Sequence, residues 1–322
     1  MKIILKRSKL NNILISFFII ICCAIVTNYL SMFFLLGDQK LYIRTYATIS
    51  QLNFLNAYTS YCNILGSIEI THFLMTFIFS NILCLEKVYF NIFINILLAL
   101  GATKLLMDRK ANLFIIFMFI FTNFYMFVLY TSAERLKVGV VFLIFSLLVK
   151  KKKKRFILSL FAVLGHLQTL LIYFGIFLKD NFQKIFIIKK YTIITIVFAS
   201  LLLLPLHSYL LHKIQFYMTN HVFNTGDIIK PFVFYSLTML YLFNKKIEIS
   251  LIFIPLLLAS ALIGGNRIVI LAYFAMLYYL SSYKKGLNLP IILTSIYYAI
   301  KSYFFIINII EYGNGFYGAN GV

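Results

Sequence analysis

Long apolar segments follow one another along almost the whole chain, separated only by short polar stretches. Their lengths are close to the about 20 residues that a helix needs to cross the hydrocarbon core of a bilayer. A membrane-spanning segment must satisfy its own backbone hydrogen bonds, which leaves helices and closed barrels. The apolar positions are continuous rather than alternating, and this argues against a barrel. The pattern therefore predicts an all-α polytopic membrane protein with about ten or eleven transmembrane helices.

No composition shift or linker divides the chain, so residues 1–322 are predicted to form a single multi-pass transmembrane domain, with external loops near 37–67 and 212–230. The topology of 37–110 is open: either residues 46–66 add a short half-buried helix, or one cluster of cations breaks the usual orientation rule. The predicted spans are 13–36, 70–85, 88–106, 111–131, 136–149, 156–178, 191–211, 231–243, 249–265, 268–282 and 289–310.

Basic clusters between the apolar runs set the predicted orientation. Lys150–Arg155 is a run of six consecutive cations, and such runs stay in the cytoplasm. The basic segment 179–190 also favours the cytoplasm, which places both ends of 156–178 on one side of the membrane. We therefore expect 156–178 to be a broken or re-entrant hairpin with its bend near Gly165 and His166. The N-terminus is predicted to be cytoplasmic, followed by an uncleaved anchor over 13–36.

Composition narrows the function classes. Hydrophobic residues make up 62% of the 322 residues, which leaves almost no room for a soluble catalytic domain. The formal net charge of +21 lies in inter-span clusters, so it indicates membrane orientation rather than nucleic-acid binding. The four cysteines have no metal-ligand spacing, and we predict small buried side chains and no cofactor.

Motifs of soluble enzymes are missing from the sequence. It contains no phosphate-binding loop, dinucleotide glycine fingerprint, HExxH zinc motif or nucleophile elbow. His207, His212 and His221 have no spacing that favours a zinc site, and no metal is predicted. The candidates for chemistry are instead the ionisable residues at membrane depth, because their burial is costly.

Two arginines are the first candidates. Arg135 follows Glu134 at the outer end of a span. There it either forms a local ion pair or anchors the interface, or it faces an aqueous cavity and holds an anionic group. Arg267 follows Gly264, Gly265 and Asn266 and interrupts an apolar stretch. A guanidinium stays charged and matches phosphate geometry bidentately, so both arginines suggest phosphate recognition on the external side.

Other polar residues are weaker candidates. His166 lies mid-segment, either as a packed hydrogen-bonding residue or as a proton carrier near neutral pH. Asp38 and Tyr42 open the first external loop and either contact a polar ligand such as a sugar or lie at the interface. Glu69 and Glu134 are the remaining candidates, and both are predicted to contact the substrate. The alternative for Glu69 is an acid that stabilises the N-terminus of the following helix.

These sparse polar landmarks resemble the EpsG/Wzy-type bacterial polysaccharide polymerases. The likeness is clearest from Arg135 to Phe177, where an arginine opens a short span, a basic turn follows and a histidine motif comes next. This chain departs from the family pattern at Leu136, Gly139, Gln168 and Thr169. The residues that carry the resemblance are Arg135, Lys150–Arg155, His166-Leu167-Gln168-Thr169, Asp38 with Tyr42, and Arg267.

The resemblance implies a metal-independent glycosyltransferase of GT-C-like architecture in the bacterial cytoplasmic membrane. Such enzymes join oligosaccharide repeat units carried on undecaprenyl pyrophosphate, at the outer face, into O antigen, capsule or exopolysaccharide. The expected partners are the lipid-linked oligosaccharide, the bilayer, and a flippase and chain-length regulator. The expected catalytic residues are His166, Arg267 and Arg135, with Asp38, Tyr42, Glu69 and Glu134 on the substrate. His166 ranks first as base, with Glu69 and Asp38 as alternatives.

Two other classes stay open on the sequence. A lipid-linked glycan flippase would show inverted repeats and paired broken helices, and no such pair is found in the sequence. A membrane acyltransferase acting on the polysaccharide would need a histidine or serine cluster facing the acyl donor.

Overall fold

The computed structural model describes residues 2–187, 225–262 and 266–317, and within these ranges the chain is helical with no strand. This agrees with the all-α prediction, because a chain of continuous apolar runs pairs its backbone groups within helices. The helices are α1 (Lys2–Phe33), α2 (Asp38–Ile49), α3 (Phe54–Leu65), α4 (Ile70–Phe77), α5 (Lys87–Asp108), α6 (Leu113–Thr122), α7 (Phe124–Thr131), α8 (Glu134–Leu148), α9 (Lys152–Gly165), α10 (Thr169–Ile187), α11 (Thr225–Tyr241), α12 (Lys246–Leu262), α13 (Asn266–Leu280) and α14 (Leu289–Tyr312).

Among the described residues, three helical segments are long and apolar enough to cross a membrane. They are Asn12–Phe33, Lys87–Asp108 and Tyr283–Tyr312, and the bent pair α6–α7 makes a fourth if it is one span. Two shorter apolar helical segments, Ile70–Ile82 and Arg267–Leu280, fall below that length. By length and composition, these described helices are compatible with a helical membrane protein, and the full set of ten or eleven spans stays a prediction.

The bend between α6 and α7 has a local cause. The two helices meet at 48° at Asn123, whose extended backbone ends α6. The Asn123 side chain accepts a hydrogen bond from the backbone N–H of Tyr125 and so caps α7. The Ser302 hydroxyl of α14 lies 2.7 Å from the carbonyl oxygen of Thr122. Side chains therefore replace the helical hydrogen bonds that the break removes.

The described helices divide into two compact units. In the first unit, residues 1–169 and 284–322, α5 packs against α1 and α8, and α8 packs against α9. In the second unit, residues 170–283, α11, α12 and α13 pack on one another. A Cβ at Gly175 would come within 2.9 Å of the backbone of Ile252, so glycine permits close contact there.

The predicted bend in 156–178 coincides with a break in the helix. Helix α9 ends at Gly165, His166 has extended backbone, and α10 begins at Thr169. Whether this segment returns to the same side of a membrane stays a prediction. The predicted external loop 37–67 contains the two short helices α2 and α3. The predicted span 191–211, most of the loop 212–230, and Gly264 and Gly265 lie outside the described residues.

Candidate functional site

A buried polar cluster in the first unit contains most of the residues singled out in the sequence. Its centre is the carboxylate of Glu69, which stands just before α4 and is 7% exposed. A charged group at such depth must be paired with opposite charges or hydrogen-bond donors. The Glu69 carboxylate is paired with groups from two other parts of the chain.

The first partner of Glu69 is His166, at the break between α9 and α10. Nδ1 of His166 is hydrogen bonded to Oε1 of Glu69, and both side chains are buried. A carboxylate on Nδ1 holds that nitrogen as the N–H and directs the other ring nitrogen, Nε2, away from it. Nε2 lies 3.2 Å from Oε1 of Gln168. The side-chain oxygen and nitrogen of glutamine are interchangeable in such assignments, so the Gln168 amide can donate to an unprotonated Nε2.

The second partner of Glu69 is Arg135, in the first turn of α8. Nη1 of Arg135 lies 3.0 Å from Oε2 of Glu69, and the two groups form an ion pair. Nε of Arg135 donates a hydrogen bond of 3.3 Å to the Tyr42 hydroxyl. The Ser67 hydroxyl donates to the same Oε2 at 2.8 Å. The carboxylate thus holds an imidazole on one oxygen and a guanidinium on the other.

Backbone packing brings His166 to this position. A Cβ on Gly139 of α8 would stand 2.9 Å from Cβ of His166 and 3.2 Å from the carbonyl oxygen of Ala162 in α9. A Cβ on Gly165 would stand 3.2 Å from the backbone nitrogen of Gly139. Only glycine at both positions lets α8 and α9 approach this closely, and the approach sets the histidine beside Glu69.

A second charged group surrounds Glu134, the neighbour of Arg135 in sequence. Its carboxylate is 2% exposed and forms an ion pair with Lys87 of α5 rather than with Arg135. Nε2 of Gln39 donates to the same carboxylate at 2.9 Å, and Lys87 Nζ donates to Gln39 Oε1 at 2.7 Å. Lys137, one helical turn from Glu134, is completely buried and donates to Oδ1 of Asn91 at 3.1 Å.

His72 and Tyr42 lie between the two charged groups. Nδ1 of His72 is 3.0 Å from the Tyr61 hydroxyl, and Nε2 lies 4.0 Å from Oε2 of Glu134 without a hydrogen bond. The Lys87 ammonium is 5.9 Å from the centroid of the Tyr42 ring, whose hydroxyl accepts from Arg135. The charged groups around Glu69 and Glu134 therefore belong to one polar network.

The structure thus places four predicted site residues in one set of direct contacts: Tyr42, Glu69, Arg135 and His166. Glu134 is linked to Tyr42 through Lys87, which contacts both. Asp38 lies at the exposed start of α2, one residue before the buried Gln39. Arg267 lies in the first turn of α13, in the second unit.

The sequence reasoning missed Gln39, Tyr61, His72, Lys87, Asn91 and Lys137. A usable signal existed for Lys137, because Glu134 and Lys137 are three residues apart and share a helix face. Lys87 and Asn91 are likewise four residues apart on α5. Within the described ranges, no group of three or more histidine, cysteine or acidic side chains is placed to hold a metal ion. His207, His212 and His221 lie outside those ranges.

Comparison of the chain with protein families, with curated proteins and with solved structures found no match.

Proposed function

We propose that this protein is a membrane glycosyltransferase that polymerises lipid-linked oligosaccharide repeat units into a surface polysaccharide. One observation carries the proposal: a buried carboxylate, Glu69, holds a histidine on one oxygen and an arginine on the other. The histidine supplies a positioned base, and the arginine supplies a fixed cation. Glycosyl transfer from a diphosphate uses a base to accept the proton of the acceptor hydroxyl and a cation to stabilise the leaving diphosphate.

His166 is the proposed general base. With Nδ1 fixed by Glu69, the lone pair lies on Nε2, and an acceptor hydroxyl that replaces the Gln168 amide there gives its proton to this nitrogen. The acceptor oxygen then forms a bond to the anomeric carbon of the donor sugar. The bond from that carbon to the phosphate oxygen breaks, and its electron pair leaves with the lipid diphosphate. The proton rests on His166, whose imidazolium Glu69 stabilises.

Arg135 is the proposed stabiliser of the leaving diphosphate, whose negative charge grows as the glycosidic bond breaks. Its pairing with Glu69 and Tyr42 fixes the guanidinium before the substrate arrives, so little reorganisation accompanies reaction. The N–H groups of the guanidinium that are not directed at Glu69 or Tyr42 are proposed to donate to the phosphate. Asp38 and Tyr42 are proposed as sugar contacts, and Arg267 stays a sequence-based prediction of a phosphate contact.

The proposal includes the architecture and setting expected from the sequence. These are ten or eleven spans of GT-C-like arrangement in the bacterial cytoplasmic membrane, with the N-terminus in the cytoplasm. The substrate is an oligosaccharide on undecaprenyl pyrophosphate at the outer face. A flippase supplies it and a chain-length regulator acts on the product. The apolar segments and the resemblance to EpsG/Wzy-type polymerases support this part.

The experiment is deletion of the gene followed by gel electrophoresis of surface glycan. Polymerase loss predicts single repeat units without a ladder of longer chains. Complete loss of surface glycan with units retained inside the cell would identify a flippase instead, and an intact ladder lacking acyl groups would identify an acyltransferase. In complementation, Arg267→Ala and Arg267→Lys should both fail to restore the ladder at normal protein abundance, because lysine lacks the bidentate fork. A full ladder with Arg267→Ala would contradict the role of that arginine.

A further inference from the structure

Helix α5 ends at a lysine that adopts the backbone conformation usually supplied by glycine. Lys110 has a φ of 62°. Its N–H donates to the carbonyl oxygen of Met107 at 2.8 Å, and the N–H of Ala111 donates to that of Leu106 at 3.0 Å. These are the two hydrogen bonds of a Schellman helix end, where glycine is the common residue. A lysine there costs free energy that glycine would avoid, and its exposed side chain recovers none of that cost by burial.

A second turn, just before α14, repeats this feature. Lys284 and Lys285 have φ values of 47° and 56°, and both side chains are exposed. Among the described residues, four non-glycine residues have a positive φ, and three of them are these lysines and Lys110. Such strained backbone persists where the surrounding structure holds it, and it clusters at ligand-binding sites.

One hydrogen bond joins the two turns. The backbone N–H of Asn112, at the start of α6, donates to the carbonyl oxygen of Lys285 at 2.8 Å. Lysines that are far apart in the sequence therefore lie on neighbouring turns of the first unit. We call Lys110, Lys284 and Lys285 the lysine surface.

Helix directions place a third basic segment at the same end of the unit. At the start of α5 and α8, Lys87 pairs with Glu134. Near the other end of both helices, a Cβ on Gly101 would stand 3.0 Å from the side chain of Ile144. The two helices thus run in the same direction. The run Lys150–Arg155, which follows α8, therefore lies at the end of the unit that carries the lysine surface, away from the charged group around Glu134.

Exposed apolar side chains follow each of the three basic segments along the chain. They are Leu113 and Phe114, Phe156 and Ile157, and Leu287 and Leu289. A cation followed by apolar side chains matches the order of phosphate and acyl chain in a bilayer leaflet. An acidic protein or a nucleic acid would match the cations but would offer no acyl chains to the apolar side chains. The pattern favours a lipid as the partner.

We propose that the lysine surface binds the phosphate of an anionic phospholipid of the surrounding bilayer, with the neighbouring apolar side chains against its acyl chains. A lysine ammonium donates charge-assisted hydrogen bonds to phosphate, and basic pockets between membrane helices hold anionic headgroups. The exposed lysines of Lys150–Arg155 draw further anionic lipid to this end of the unit. Binding here requires no glycosyl transfer, and the phospholipid is a neighbour of the protein rather than its substrate.

The test is native mass spectrometry of the purified full chain in a neutral detergent. The protein is titrated in turn with phosphatidylglycerol, with phosphatidylcholine and with polyglutamate. We expect a Kd for phosphatidylglycerol at least about tenfold below that for phosphatidylcholine. Equal binding of the two lipids would overturn the proposal, and binding of polyglutamate without a preference between the lipids would identify an acidic polypeptide as the partner instead.

Variants assign the binding to the lysine surface. Lys284→Gln combined with Lys285→Gln should raise the Kd for phosphatidylglycerol by about tenfold or more, because two cations beside the phosphate are lost. Arginine at both positions should keep the Kd near the native value. The matched control combines Lys40→Gln with Arg44→Gln, which removes two exposed cations of α2 and should leave the Kd unchanged.

Lys110→Gln tests the other turn with a single exposed change, so the proposal stays testable if the double variant does not fold. It should also weaken binding of phosphatidylglycerol. An unchanged Kd in Lys110→Gln and in the double variant would overturn the proposal. An equal loss in the α2 control would do the same, because it would assign the binding to overall charge.

Discussion

Nδ1 of His166 is hydrogen bonded to Oε1 of Glu69 although 97 residues separate the two in the chain. The contact joins the residue before α4 to the break between α9 and α10, two places where the backbone departs from helix. Because Arg135 occupies the other oxygen of Glu69, one carboxylate sets the positions of both proposed reacting groups. The following predictions test what depends on that arrangement.

Glu69→Gln should reduce polymerisation by at least about 100-fold, because the amide cannot stabilise the imidazolium of His166 or neutralise Arg135. The same change should lower the free energy of unfolding by about 3–5 kcal/mol, since it leaves a buried cation unpaired. Glycan ladders and thermal unfolding of the purified protein measure the two effects. Glu86→Gln, at an exposed acid, is the matched control. Full activity of Glu69→Gln would show that polymerisation does not require the carboxylate.

Arg135→Lys should keep the charge yet lose most activity, about tenfold or more. A lysine ammonium cannot contact Glu69 and Tyr42 with the fork geometry of a guanidinium. The measurement is the rate of chain elongation in membranes that contain equal amounts of protein. Arg44→Lys, at an exposed position of α2, should leave the elongation rate unchanged. Equal rates for Arg135→Lys and the native protein would show that charge alone suffices.

Glu134→Gln should destabilise the protein by about 3–5 kcal/mol, because it leaves Lys87 and Lys137 without an anion. Adding Lys137→Met to that variant should restore part of the loss, since one buried cation is then gone. Lys137→Met alone should be neutral or stabilising. Chemical unfolding of the single and double variants measures the coupling. A double variant no more stable than Glu134→Gln alone would contradict the electrostatic coupling of Lys137 to Glu134.

Gly139→Ala should separate α8 from α9 and displace His166. The added Cβ would lie 2.9 Å from Cβ of His166 and 3.2 Å from a backbone oxygen, and neither atom is the flexible end of a side chain. We expect a loss of stability of about 1–3 kcal/mol from overpacking, together with reduced polymerisation. Leu147→Ile, on a partly exposed face of α8, is the control. Normal stability and activity of Gly139→Ala would show that the close approach is not required.

The sequence was sufficient to predict where helices lie along the chain, but not which helices contact one another. Continuous apolar runs predicted α1, α5 and α14, because length and hydropathy decide a span without reference to neighbours. The break at His166 followed from the basic clusters on both sides of 156–178. A contact such as Glu69 with Arg135 depends instead on how distant helices pack, and no local pattern encodes it.

The residues that were missed show the same limit. Lys87 follows Glu86 at the start of a predicted span, where a lysine is typical of a membrane interface. Its burial against Glu134 and Gln39 appears only when α2, α5 and α8 are packed together. Arg135 was expected to face an aqueous cavity, to form a local ion pair or to anchor the interface, and its pairing with Glu69 is a property of the tertiary structure.

The most direct test of the central claim is in vitro transfer by the purified protein in liposomes. A labelled oligosaccharide on a polyprenyl diphosphate is supplied, and chain length is read on a gel with and without His166→Gln. The account predicts a ladder from the native protein without added metal, and a loss of at least about 100-fold with His166→Gln at unchanged folding. A ladder of equal intensity from His166→Gln, or no transfer by the native protein, would contradict it.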